Sequence, residues 1–183
     1  MKVTSIGLIE LGSIARGVEV TDVMLKAGQV ELSFSKPVCP GKYTVMVYGD
    51  VGAVKASVAA GLDAGGTAVV NHLIIPRLHS SVLPAINAAV SVGPVNAVGV
   101  VEYFDIASAI VGADAAVKTG RAELIQVRLG MGIGGKSFFV LTGDVADVKA
   151  AVDAGLYDAK QRGAVVASCV IPAPDPRLFE AML

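Results

Sequence analysis

The sharpest chemical pattern in the sequence is Gly130-Met131-Gly132-Ile133-Gly134-Gly135-Lys136-Ser137, which satisfies the spacing of a phosphate-binding P-loop. That chemistry needs a strand, then the loop, then a helix whose N-terminal amides face phosphate. Here the loop runs into Ser137-Phe138-Phe139-Val140-Leu141-Thr142, a segment with strand composition. No Walker B strand with an acidic end accompanies it. The pattern therefore reads as a tight glycine turn between two strands. Cys39 stands between Pro37-Val38 and Pro40-Gly41, in a loop rather than an apolar run. Such a thiol is either a small buried hydrophobe or a ligand. Cys169, inside Val165–Ile171, reads as a core strand position. The two histidines, His72 and His79, form no zinc spacing, and the cysteines form no C-x-x-C pair. One chain cannot supply four thiolates, so any thiolate-held group must borrow ligands from other chains. His79 could act as a base, but the sequence places no nucleophile beside it. Lys26, Lys42, Lys118 and Lys136 are readable as ordinary solvated charges. No acid pair, triad or metal-ligand cluster emerges, which argues against hydrolytic or transfer activity.

Composition narrows the classes further. The chain has 183 residues, 54% apolar and 17% charged, with a formal charge of −1. High hydrophobicity with little net charge excludes a disordered chain. No basic surplus exists to bind nucleic acid through phosphates. The mean hydropathy of +0.66 raises the question of a membrane span. The longest stretch without formal charge, Leu78 to Val101, contains His79, Pro84, Asn87, Pro94 and Asn96, and makes a poor spanning helix. No signal peptide fits the start, where Glu10 interrupts a short apolar run. The expectation is a cytoplasmic, non-membrane protein that uses its apolar excess in subunit contacts.

The elements that must position these residues come in two copies. Gly7, Glu10, Ile14, Ala15, Asp22, Lys26, Gly28, Glu31 and Leu32 recur unchanged 92 positions later. After a two-residue insertion, Gly41-Lys42 recurs as Gly135-Lys136 and Gly49-Asp50-Val51 as Gly143-Asp144-Val145. A further slip aligns Ile75-Pro76 with Ile171-Pro172. Such a density of matches identifies a diverged duplication. In the first copy, Val3 to Leu11 alternates as a strand, and Ile14, Val18, Met24 and Leu25 form an approximate helical stripe. Val30 to Ser35 and Lys42 to Tyr48 are strand-like on either side of a Pro/Gly loop. Asp50 is a good N-cap for a second helix. Ala68 to Ile75 is a fourth strand, and Ser80 or Ser81 could begin a short last helix. The order β-α-β-β-α-β is the ferredoxin-like arrangement, an α+β fold. Two domains follow, 1–91 and 97–183, with Ser91 to Asn96 as the linker.

The recurring Gly-x-x-Glu, Asp-x-x-x-Lys, Gly-Lys, Gly-Asp-Val-x-x-Val-Lys-Ala and Ile-Pro elements resemble the bacterial microcompartment shell domain. Both copies carry the pattern without circular permutation, and it spans nearly the whole chain. The resemblance implies a tandem-domain shell protein, forming a homotrimer that imitates a six-domain hexamer and packs with other shell proteins. Lys26 and Lys118 match the lysine of the assembly edge. Arg77 matches the edge arginine, although Leu78 replaces a proline of that motif. Ala173 and Asp175 replace the arginine and histidine in the second copy, so its edges are expected to tile differently. The loop with Pro37, Val38, Cys39, Pro40 and Gly41 matches a pore loop, as does the loop with Gly132, Ile133 and Gly134.

Ser35-Lys36-Pro37-Val38-Cys39-Pro40-Gly41-Lys42 is similar to the loop of iron–sulfur shell proteins of propanediol-utilisation microcompartments. This implies Cys39 as a metal ligand, with three thiols at one axis holding one [4Fe-4S] cluster per trimer. A cubane normally takes four thiolates, so one iron would be left to an outside ligand. Lys36 and Lys42, if close, would favour the reduced cluster. Electrons would then cross the shell to a redox enzyme or carrier. Two alternatives stand beside this: a cluster-free trimer whose pore passes small metabolites, and a small-molecule-binding regulator or enzyme on the same fold.

Overall fold

The computed structural model describes residues 5–90, 93 and 96–178. Val3 and Thr4 of the first expected strand, and Ser91, Val92, Pro94 and Val95 of the expected linker, lie outside them. The first repeat runs β1 (Ser5–Leu11), α1 (Ile14–Ala27), β2 (Glu31–Val38), β3 (Lys42–Gly49), α2 (Val51–Gly65), a 3-10 turn (Gly66–Ala68) and β4 (Val69–Pro76). A short helix α3 (Val82–Ile86) follows. The second repeat runs β5 (Ala97–Tyr103), α4 (Ile106–Thr119), β6 (Glu123–Leu129), β7 (Ser137–Gly143), α5 (Val145–Gln161) and β8 (Val165–Pro172).

Each repeat builds one antiparallel four-stranded sheet, ordered β2-β3-β1-β4 and β6-β7-β5-β8. The duplication reaches fine detail. The β2–β3 register slips between Leu32 and Phe34, and the β6–β7 register slips between Leu124 and Gln126, the matching place. Helix starts are fixed by side chains at matched positions: Ser13 accepts from the Arg16 N–H at 3.4 Å, and Asp105 from the Ser108 N–H at 2.8 Å. Asp50 occupies the N-cap of α2, and Asp144 that of α5.

The first core joins Ile9, Leu11, Val45 and Val47 from the sheet to Val20, Met24, Val54 and Val58 from α1 and α2. Each such side chain, fully buried, contributes roughly 1.5–3 kcal/mol. The inner face of α1 is Gly17, Val20, Thr21 and Met24, whereas Ile14, Val18 and Leu25 of the expected stripe are exposed. That expectation is corrected: the ring of Tyr43 fills the space where a Cβ on Gly17 would sit, so the buried face needs a small residue there. Cys169 is likewise not a core residue. It lies exposed on β8, an edge strand whose middle residues Ala167, Ser168 and Cys169 are all exposed.

The chain divides after Leu78 into two compact units. The segment from His79 through α3, which the repeat grammar attaches to the first copy, belongs to the second unit and packs on β6 and α4. Among the described residues, no helix is long and apolar enough to cross a membrane.

Candidate functional site

The Cys39 loop is the tip of the β2–β3 hairpin. β2 continues through Pro37, which an edge strand tolerates because its missing N–H leaves no central ladder bond unmade. Val38 is buried and pairs with Lys42, Cys39 is half-buried, and Pro40 and Gly41 are exposed. Gly41 turns the chain at φ +76°, a conformation that suits glycine.

Below the tip, a chain of hydroxyls ties the hairpin to α1. Thr21 Oγ1 donates to the Gly17 carbonyl at 2.7 Å and lies 2.7 Å from Ser35 Oγ, which is 2.8 Å from the Tyr43 hydroxyl. Sequence reasoning missed this chain, because its members lie 14 and 8 positions apart and follow no periodic rule. A second support was legible in retrospect from the repeat. Lys42 lies 3.8 Å from the buried carboxylate of Glu10, and Lys136 lies 2.5 Å from Glu102. Two recurring motifs, Gly-x-x-Glu and Gly-Lys, are thus the two halves of one ion pair. Lys42 is already partnered by a carboxylate, and Lys36 lies over the Phe34 ring at 4.8 Å, so neither is a free cation aimed at Cys39.

The matching tip of the second copy is the Gly130–Lys136 turn between β6 and β7. Gly130, Gly132, Gly134 and Gly135 all have φ between +62° and +82°. The Gly130 N–H donates to the Lys136 carbonyl at 3.0 Å and closes the turn. An antiparallel strand follows, so the P-loop spelling carries no helix N-terminus for phosphate. Ile133 is half-buried, and Gly132 and Gly134 are exposed.

Lys26 and Lys118 occupy the last turns of matched helices, each paired with an aspartate one turn earlier, at 2.6 Å to Asp22 and 2.5 Å to Asp114. The surroundings differ. Asp22 is exposed, whereas Asp114 is buried and also accepts the His79 N–H at 2.8 Å. Arg77 is exposed just past β4 at φ +54°, and Ala173 takes the same left-handed turn past β8 at φ +47°. The Arg177 guanidinium beside Asp175 holds that carboxyl below its ordinary range. The His79 ring bonds Ser81 at 2.9 Å, a local turn contact. Among the described residues, no three His, Cys, Asp or Glu side chains gather as a metal site.

Two ferredoxin-like units, each presenting a proline- or glycine-built hairpin tip and a lysine in the last turn of its first helix, define a tandem shell-domain protein. Residues 5–78 and 97–174 each match the BMC domain, and the chain belongs to that family. It is 44% identical over 179 residues to the bacterial microcompartment shell protein PduT of Citrobacter freundii, covering 98% of this chain and 97% of the relative. A single-domain relative, the carboxysome shell protein CcmK2 of Synechococcus elongatus, is 41% identical over 81 residues, covering 42% of this chain and 79% of the relative. A crystal structure of a microcompartment protein from Desulfitobacterium hafniense superposes with a TM-score of 0.92 at 51% identity, covering 98% of this chain and 99% of that one. The fused permuted hexameric shell protein of the RMM microcompartment superposes less closely, at 0.63 and 30% identity, covering 84% and 79%. The chain is a microcompartment shell subunit, and it works in the shell among other shell proteins.

Proposed function

We propose that this subunit forms a homotrimer in which three Cys39 loops meet at one axis and hold an iron–sulfur cluster that carries electrons across the shell. The observation that carries the reading is the position of Cys39. It is a partly exposed thiol on a hairpin tip, bracketed by Pro37 and Pro40, and present in one repeat only. The residues fit a three-thiolate cubane: each chain offers one thiol at that tip, and symmetry supplies the rest. When bound, such a group supplies one-electron transfer. The chain's own contribution is a thiolate on a stiff loop, anchored from behind by the Thr21–Ser35–Tyr43 hydroxyls and by the Glu10–Lys42 pair. The Gly132–Gly134 tips serve as the second set of pore loops, and Lys26, Lys118 and Arg77 lie at the tiling edges.

The test is iron and acid-labile sulfide per trimer after purification without oxygen, with the visible spectrum. About four of each per trimer, lost in Cys39→Ser, is the expected result. No iron after attempted reconstitution would overturn the cluster and leave a shell trimer whose axis passes small metabolites.

A further inference from the structure

Each repeat leaves its last strand through a left-handed residue, Arg77 after β4 at φ +54° and Ala173 after β8 at φ +47°. The likeness continues past that point. The Ser81 N–H donates to His79 Nδ1 at 3.4 Å, and at the matched positions the Arg177 N–H donates to Asp175 Oδ1 at 2.9 Å. A side chain that accepts from the N–H two residues on closes a local turn. Both copies therefore build the same turn at the same place.

What moves is the cation. In the first copy the arginine is the left-handed residue itself, and Arg77 is exposed. In the second copy that position holds Ala173, and an arginine enters at the far end of the turn, where the first copy has Ser81. Arg177 folds back over the turn: its Nε donates to Asp175 Oδ1 at 2.9 Å and its Nη2 to Asp175 Oδ2 at 2.7 Å. This is a two-pronged fork on a carboxylate. The Arg177 side chain is nevertheless 87% exposed, and a pair so placed adds little to stability. Its effect is to hold a planar guanidinium in one orientation, with the Nη1 donors unspent among the described residues.

We infer that Arg177 is the arginine of the second assembly edge, supplying from the end of the turn what Ala173 does not supply from its start, and that it bonds an oxygen acceptor on the edge of a neighbouring shell tile. Asp175 is its positioning residue. The inference rests on the tiling-edge reading of Arg77 and adds to it the residue that serves the other edge.

The test is the lowest protein concentration at which flat sheets form, followed by light scattering and electron microscopy for the wild type, Arg77→Ala, Arg177→Ala and Asp175→Asn. Loss of one charge-assisted bond per edge should raise that concentration about tenfold or more in Arg177→Ala. Asp175→Asn, which keeps an acceptor for the Arg177 backbone but loses the charged fork, should raise it by a smaller factor. Sedimentation should find the oligomer mass unchanged in every variant, and circular dichroism an unchanged thermal midpoint in both substitutions of the turn. Wild-type sheet formation in Arg177→Ala, beside impaired sheets in Arg77→Ala, would overturn this inference and leave the tiling reading standing. Wild-type behaviour in Asp175→Asn alone would overturn the positioning role of Asp175. Sheets untouched by both arginine substitutions, or absent from the wild type, would overturn the tiling reading and this inference with it. A fall in oligomer mass in Arg177→Ala would overturn it too, by placing the residue within the oligomer rather than at its rim.

Discussion

Asp22 and Asp114 are the same residue twice, yet they do different work. Asp22 shares an exposed i,i+4 pair with Lys26, where solvent screening holds the contribution to about 0.3–0.5 kcal/mol. Asp114 is buried and accepts from both Lys118 and the His79 backbone, so its loss leaves a half-buried N–H without its acceptor. Asp114→Ala is expected to cost about 2 kcal/mol and Asp22→Ala under about 0.5, read as shifts in urea midpoint. Asp114→Asn, which keeps the acceptor for His79, should recover a large share of the loss. At this scale the sequence was informative wherever a residue was set off by its neighbours. Cys39 stood out because two prolines framed it. Cys169 did not, because an edge strand with an open face has the same β-branched composition as a buried one. The hydroxyl chain behind Cys39 was invisible, since only the fold brings Thr21, Ser35 and Tyr43 together.

Among the elements, α1 carries the clearest lesson. Counting large apolar residues at helical spacing finds its outer face, because the inner face is built from Gly17 and Thr21 beside Val20 and Met24. A methyl on Gly17 would meet the Tyr43 ring, which is held in place through Ser35. Gly17→Ala is therefore expected to destabilise the first unit by about 1–3 kcal/mol, despite the better helix propensity of alanine. Thermal unfolding followed by circular dichroism checks this, and Ala109→Gly at the matched position of α4 provides the comparison. The strand order and both hairpins were legible, because duplication let each copy test the other. Segment edges were less so: β2 runs on through Pro37 to Val38, since an edge strand does not need that N–H.

For the whole molecule, two measurable consequences follow. The first is pH dependence. Burial pushes the Tyr103 hydroxyl, which donates to the Gly155 carbonyl at 2.8 Å, well above its ordinary value of 10.0. The folded chain holds that proton more tightly than the unfolded one. Stability from this group is therefore complete below pH 10.0 and falls as pH rises above it. The urea midpoint should drop more steeply above pH 10.0 in the wild type than in Tyr103→Phe. The second consequence concerns tiling. Lys26 is exposed on a short tether to Asp22 and takes no part in either core, so Lys26→Ala should leave the mass of the oligomer unchanged. Electron microscopy should then find fewer or smaller flat sheets. Dissociated oligomers after that change would move Lys26 from the tiling edge to the subunit joint.

The unequal hairpin tips have a consequence for assembly statistics. One tip carries a thiol between prolines; the other carries glycines and no ligating side chain. If the two versions were separate single-domain proteins mixing freely, a six-membered ring would hold them in every ratio and order. Covalent fusion removes that lottery. The trimer proposed above would receive the two tips in equal number, whatever the expression level. Drift in one copy would then change one set of tips in that trimer without spoiling the other.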